Sequence, residues 1–371
     1  MKMYIGLDVH SKKTVYVAQD ETGKVISEGT IPTSVDGFQK MIENLHPPKG
    51  TQIGLETGTQ CMIVSRILSS MYMNPIIVNA KEVRDKARRL GQKSDRRDAF
   101  EICDGIRRGI YTAIVYTPGP EILKLRQILS RRRHFVKILT KQANAVKFLL
   151  RSVMLSHEAA KLTTWHAWEK LLSNPGVADL KEMITLHAEM WKLAHKNVLF
   201  LEEKLKAALE NHQEAMDLLT SLPGIGLITA ATYLAVIGTP KRFCDSNRIV
   251  SYIGLAPSTY DSGERERHGH ITKQGSSELR SLLCEVAHHA ANARHPLNPY
   301  FTRVCARSGY KKAVVCVAHR MARILYQMWR KGERFDVKKL NVVQEEITKK
   351  RKVYYRIKNA NDTVVTMQTG N

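Results

Sequence analysis

Met3-Tyr4-Ile5-Gly6-Leu7-Asp8 is a short apolar run that ends on a carboxylate, and the fold turns on how it is read. With the turn signal Ser11-Lys12-Lys13 just beyond it, the run reads as a strand over 3–8. Two more alternating runs follow at 14–18 and 24–29, separated by Glu21-Thr22-Gly23. The pattern then predicts a helix over 35–45, a strand over 52–56, a helix over 61–71, a strand over 75–78 and a helix over 80–90. Strands in a run, followed by strands alternating with helices, imply a mixed sheet covered by helices.

Four carboxylates occupy particular places in that layout. Asp8 lies inside an otherwise apolar strand, and Glu56 ends the fourth strand just before Thr57-Gly58. Asp95 and Asp98 stand three apart in Lys93-Ser94-Asp95-Arg96-Arg97-Asp98 and so share one face of the helix that follows. Taken singly, such an Asp reads as an edge or turn residue, or as part of a helix cap next to Ser94. Taken together, hard oxygen ligands with spare negative charge are what magnesium needs when it also holds phosphate oxygens, and manganese fits the same donors. This strand order with acids at strand ends is the one expected of an RNase-H-like domain over 1–116.

Composition sets the partner class. The chain has 371 residues, of which 43% are apolar and 25% charged, enough for two or three cores. Lys and Arg number 58 against 35 Asp and Glu, a formal charge of +23 that favours a polyanionic partner. No run approaches the roughly 18–20 continuous apolar residues of a membrane span. No secretory signal is read at the start, so a cytoplasmic location without a membrane partner is expected. The six cysteines show no Cys-x-x-Cys pair and read as reduced packing residues.

Tyr116-Thr117-Pro118-Gly119-Pro120 breaks the helical period and marks a boundary. Over 117–213, apolar residues recur by three and four at Val136, Leu139, Ala143, Val146, Leu150 and Val153, and again from Leu180 through Ile184, Trp191 and Val198 to Ala208. Two long heptad helices joined through Asn174-Pro175-Gly176 suggest an antiparallel coiled-coil pair. Its free seams allow self-association as a dimer or tetramer, and packing within one chain is equally allowed. The first helix carries Arg131, Arg132, Arg133 and Lys137, either a track for a polyanion or a solvated surface.

The segment 214–336 reads as mostly helical. Leu222-Pro223-Gly224-Ile225-Gly226 resembles a helix-hairpin-helix turn, a form that offers backbone N–H groups to phosphate, and a plain tight turn is the alternative. A short helix is expected over 242–253, and it leads into a loop without apolar period in which Ser262 precedes Gly263 among Arg265, Arg267, His268, His270 and Lys273. A phosphodiester attacked by a hydroxyl there meets matching cations. Gly275-Ser276-Ser277-Glu278 caps the next helix, Pro296 and Pro299 break the pattern, and a helix over 313–329 closes the segment. The tail over 337–371, basic at Lys349-Lys350-Arg351-Lys352, reads as an arm or a late strand pair.

In order, Tyr-Ile-Gly-Leu-Asp, Gly-Leu-Glu-Thr-Gly, Lys-Ser-Asp-Arg-Arg-Asp-Ala, Leu-Pro-Gly-Ile-Gly and Tyr-Asp-Ser-Gly resemble the transposases of the insertion-sequence-110 family over nearly the whole chain, roughly 3–336. The resemblance implies a recombinase with a Holliday-junction-resolvase-like N-terminal domain and a C-terminal serine transposase domain. It also implies that Asp8, Glu56, Asp95 and Asp98 bind magnesium and that Ser262 forms a phosphoserine link to donor and target DNA. A structured non-coding RNA, the bridge RNA, would choose the sites. The segment after Glu56 is Thr-Gly-Thr-Gln where many relatives have Ala-Thr-Gly-x-Tyr. Two other readings use the same residues: a metal-dependent junction endonuclease that hydrolyses DNA with water, and a non-catalytic RNA-binding scaffold. Tyr260, two residues from Ser262, is an alternative nucleophile.

Overall fold

The computed structural model describes residues 2–86, 94–158, 162–262 and 265–340, with the side chains of 259–268 outside that description. The chain divides into two compact units, Met1–Gly119 and Pro120–Asn371.

In the first unit the elements run β1 (Met3–Val9), β2 (Lys13–Asp20), β3 (Val25–Pro32), α1 (Val35–Leu45), β4 (Gln52–Glu56), α2 (Cys61–Ser70), β5 (Asn74–Val78), α3 (Ala80–Lys86) and α4 (Asp95–Arg107). The sheet order is β3-β2-β1-β4-β5, with β1 antiparallel to β2 and parallel to β4, a mixed arrangement consistent with an RNase-H-like domain. The second and third strands run past their expected ends, to Asp20 and Pro32, because each extra residue finds a ladder partner. Of the helix expected over 80–90, the last four positions fall outside the described residues.

Side-chain alternation assigns the two faces of the sheet. Ile5, Leu7, Ile53 and Leu55 point to one side and bury against Phe38, Met41, Val64 and Leu68 of α1 and α2. Gly6 and Gly54, which pair across β1 and β4, point to the other and admit α4 at close range. A Cβ on Gly6 would lie 2.1 Å from the Ala99 carbonyl oxygen and 2.5 Å from the Cys103 nitrogen. Glycine is therefore required by the approach of the helix backbone and not by a turn.

Among the described residues the second unit is helical apart from one hairpin. Its elements are α5 (Pro120–Ser152), α6 (Trp165–Leu172), α7 (Lys181–Ala208), α8 (Gln213–Thr220), α9 (Leu227–Ile237), α10 (Ser246–Ile253), β6 (Pro257–Ser262), β7 (Arg265–Ile271), α11 (Ser277–Ala287), α12 (Asn298–Ser308) and α13 (Tyr310–Lys331). Helices α5 and α7 lie antiparallel: Arg132 pairs with Glu202 at 2.7 Å, and ten residues further along α5, Gln142 meets His187 at 2.6 Å. At one end Val146 and Leu150 pack with Trp168 and Trp191, so α6, inside the expected connector, closes a small core of its own. At the other end Leu125 and Leu129 join a larger core built around α9 and α13. Helix α9 is apolar on nearly every face, as befits a helix buried on all sides.

Three local expectations are corrected. The helix expected from 242 begins at Ser246, because the Asp245 carboxylate accepts from the Asn247 and Arg248 N–H groups and caps it there. Pro299 does not interrupt a helix but sits in the first turn of α12, where its missing N–H costs nothing. The stretch around Ser262, read as a loop, forms the antiparallel hairpin β6–β7, whose ladder satisfies backbone groups that a loop would leave to water.

Candidate active site

The carboxylates in the first unit are placed by the rule that placed the glycines. Asp8 follows Gly6 by two residues on β1 and Glu56 follows Gly54 by two on β4, so both turn toward the face that carries α4. Leu7 and Leu55 are in register, and Asp8 and Glu56 are thus neighbours at the carboxyl ends of parallel strands. On α4, Ala99 and Cys103 press on Gly6; Asp95 lies one turn before Ala99, with Asp98 beside it in the first turn. Ser94 starts that turn by accepting from the Arg97 N–H. Thr57 steadies the end of β4: its N–H donates to the Val78 carbonyl and its hydroxyl accepts from the Ala80 N–H at 3.1 Å.

Two residues that the sequence did not single out join this group. His10 Nε2 lies 3.0 Å from Asp8 Oδ2 and 3.5 Å from Asp95 Oδ1, and Lys13 Nζ donates to Asp95 Oδ2 at 2.8 Å. Asp8, His10 and Asp95 offer ligand atoms that all lie within 4.8 Å of one another, a grouping of metal-binding type among the described residues. Asp8 is buried, with 7% of its surface exposed, and burial raises its pKa; His10 opposes that rise, while Asp98 and Asp95 add to it. Asp95 moves the other way, its carboxyl lowered chiefly by the Lys13 ammonium. The His10 ring and the Lys13 ammonium thus take up the space beside Asp8 and Asp95, which is the place a hard divalent cation would compete for. The donor set fits such an ion. The signal available in sequence was the spacing: His10 is two residues from Asp8, the same side of an extended chain.

In the second unit Ser262 closes β6 and pairs with Arg265 at the start of β7, with Tyr260 opposite Arg267 and Thr259 opposite His268. The hairpin fixes their order along two strands, while Gly263, between Ser262 and Arg265, is outside the described residues. His270 and Lys273 are exposed, and Lys273 has a left-handed backbone. Along α5 the basic residues differ. Arg131 and Lys137 are exposed, Arg132 is engaged with Glu202, and Arg133 lies 3.5 Å from Glu278. Arg132, Arg133 and Lys137 line a cleft of about 560 Å³ with Lys141, Asn144 and Glu285.

Two family profiles match this chain. One, a transposase profile of the DEDD type of IS110, covers residues 5–155; the other, described as the transposase IS116/IS110/IS902 family, covers 216–302. The first spans all four carboxylates and the second spans Ser262, and together they take in well over half of the chain. The chain belongs to the IS110 family of transposases. It is an enzyme of DNA cutting and rejoining, and the DEDD character of its first profile, with the Asp8, His10 and Asp95 cluster, points to divalent metal use.

Curated relatives agree. An uncharacterised 43.6 kDa protein of insertion element IS110 from Streptomyces coelicolor is 29% identical over 169 residues, 45% of this chain and 42% of its own length. The transposase for insertion sequence element IS1111A of Coxiella burnetii is 25% identical over 252 residues, 66% of this chain and 68% of its own. A pilin gene-inverting protein of Moraxella bovis is 24% identical over 351 residues, 90% of this chain and 98% of its own. No helix among the described residues is long and apolar enough to cross a membrane.

Proposed function

We propose that this transposase cuts and rejoins DNA through a covalent phosphoserine at Ser262, with Asp8, Glu56, Asp95 and Asp98 holding magnesium or manganese. The observation that carries the reading is the shared face: Asp8 and Glu56 at neighbouring strand ends, turned toward the helix whose first turn bears Asp95 and Asp98. A divalent ion held there supplies Lewis-acid polarisation of phosphate oxygens.

The chain's own residues do the rest. The Ser262 hydroxyl gives up its proton as its oxygen attacks phosphorus, an Oγ–P bond forms, the P–O bond to one strand breaks, and the departing strand oxygen takes up a proton to leave as a hydroxyl. Reversal with a different strand end rejoins DNA, and because the linkage energy is kept, no nucleotide cofactor is needed. Arg265, Arg267, His268 and His270 lie on β7 of the hairpin and Lys273 just beyond it, and the positive charge of the arginines and the lysine stabilises the charge that grows on the phosphate. Donor and target DNA are the substrates, and a structured non-coding RNA, which the family resemblance implies, directs them; with RNA supplying specificity, the protein need read only backbone and shape. Arg131, Arg132, Arg133 and Lys137 on α5 serve the nucleic acids.

In this reading residues 1–116 form the metal-binding domain, 117–213 a coiled-coil pair, 214–336 the serine domain with its helix-hairpin-helix-like turn, and 337–371 a basic tail. Self-association as a dimer or tetramer is supported by α7. Met183, Leu186, Met190, Leu193 and Phe200 are all exposed on it at heptad-like spacing, a seam that no other element among the described residues covers. The test is Ser262→Ala: strand transfer is expected to vanish while nucleic-acid binding stays nearly intact, and retained cleavage would favour hydrolysis by water at the carboxylates.

A further inference from the structure

From Val286 to Gly332 the chain runs 47 residues without one Asp or Glu, yet carries nine Lys and Arg and four His. In a protein that is 25% charged, a stretch of that length with one sign only is a strong asymmetry, and it falls on the two packed helices α12 and α13.

Between α13 and its neighbours lies a cleft of about 660 Å³, a volume in the range of ordinary ligand sites, lined in part by Tyr300, His319, Arg320 and Arg323. The Arg320 guanidinium sits 4.7 Å from the centre of the Tyr300 ring and that of Arg303 5.5 Å from it, so one aromatic ring orients two cations. Arg323 donates to the Ser246 hydroxyl at 3.1 Å. Among the described residues no carboxylate pairs with Arg303, Arg307, Arg320 or Arg323. The acids at the rim are engaged elsewhere, Glu333 with the Lys339 ammonium and Asp336 with the Lys338 N–H.

Burial lowers the Arg320 pKa; Tyr300 opposes that fall, while Arg303 and Arg323 add to it, and His319 is lowered by burial and then by Arg323. A guanidinium that is partly desolvated among like charges is unfavourable unless an anion completes it. The planar fork of Arg suits phosphate oxygens in particular. A small single anion would satisfy the cleft alone, but the same sign continues outward through Arg303, Arg307, Lys311 and Lys312, all exposed, which matches an extended polyanion.

We propose that the α12–α13 face is a phosphodiester-binding surface for a nucleic-acid strand, centred on Tyr300 and Arg320. The proposal holds whether or not Ser262 is the nucleophile. DNA and RNA share the backbone chemistry, and the test separates them.

Full-length protein is titrated onto labelled duplex DNA and, separately, a labelled RNA hairpin of unrelated sequence, across a salt series. R303Q/R320Q is expected to lower the slope of log K against log[salt] by about 2 on whichever nucleic acid the face holds, roughly one for each phosphate no longer neutralised. K40Q/K49Q, which removes the same charge from exposed positions in the other unit, is expected to leave the slope unchanged. A change on DNA, RNA or both supports the proposal and names the source; equal slopes for both variants and wild type on both probes overturn it. Should R303Q/R320Q not fold, phenylglyoxal labelling of the wild-type protein decides. Nucleic acid is expected to slow modification of Arg303 and Arg320 at least fivefold. Unchanged labelling overturns the proposal, and so does protection by polyglutamate equal to that by nucleic acid.

Discussion

Gly6→Ala tests how the sheet places the carboxylates. The added Cβ would stand 2.1 Å from the Ala99 carbonyl oxygen and 2.8 Å from the Cys103 Cβ, and the nearer atom is backbone, so no rotamer relieves the clash. Helix α4 must back away from β1 by about 1 Å, because a packed interior has no slack to absorb the group. Overpacking of this kind costs about 1–3 kcal/mol, read as a fall of roughly 1 M in the urea midpoint. The same displacement carries Asp95 and Asp98 away from Asp8, and a 1 Å error in a reacting geometry lowers rates by about 100-fold. Unfolding by urea and excision of a marked element in cells measure the two effects separately. Gly119→Ala, where a Cβ meets nothing within 4 Å, is the control and is expected to be silent in both. A Gly6→Ala protein with unchanged stability and wild-type excision would refute the placement of α4 and the argument for the quartet together.

Other outcomes follow from the same geometry. Asp8→Asn and Asp95→Asn are expected to abolish recombination and weaken manganese binding, measured by calorimetry, without loss of nucleic-acid affinity. Burial would raise the Glu82 pKa, but donation from Lys86, Thr112 and Ala113 outweighs it and holds the group at about 2. The stability it adds is therefore complete above the ordinary 4.5 and lost as pH falls toward 2. Glu82→Gln is expected to cost on the order of 1–3 kcal/mol at pH 7 and much less near pH 2, read by urea unfolding at each pH. L186E/L193E should shift the protein toward smaller species in analytical ultracentrifugation with no change in helix content; an unchanged distribution would remove α7 as the seam.

The sheet was legible because its signal is local. Strands of period two and a switch to helical spacing at 35–45 need no knowledge of partners, and Gly6 and Gly54 carry their own explanation once the strands are paired. The acids Asp8, Glu56, Asp95 and Asp98 stood out for the same reason, as charges where apolar residues or caps were expected. His10 and Lys13 did not, because a histidine and a lysine beyond a strand end look like solvated turn residues until α4 is packed above them. The hairpin around Ser262 was hidden by composition: strands built from Ser, Thr, Arg and His lack the apolar alternation by which strands are found, and it is the backbone ladder that defines them. Helix α12 was lost to Pro299, whose meaning depends on whether it sits inside a helix or in its first turn.

The serine reading can be put to a single determination. Protein stalled on a DNA substrate with a nick that prevents rejoining is digested, and the peptide still bearing a nucleotide is sequenced by mass spectrometry. A nucleotide ester on the Ser262 oxygen is the expected result. A nucleotide on Tyr260, or cut DNA with no protein attached, would contradict it.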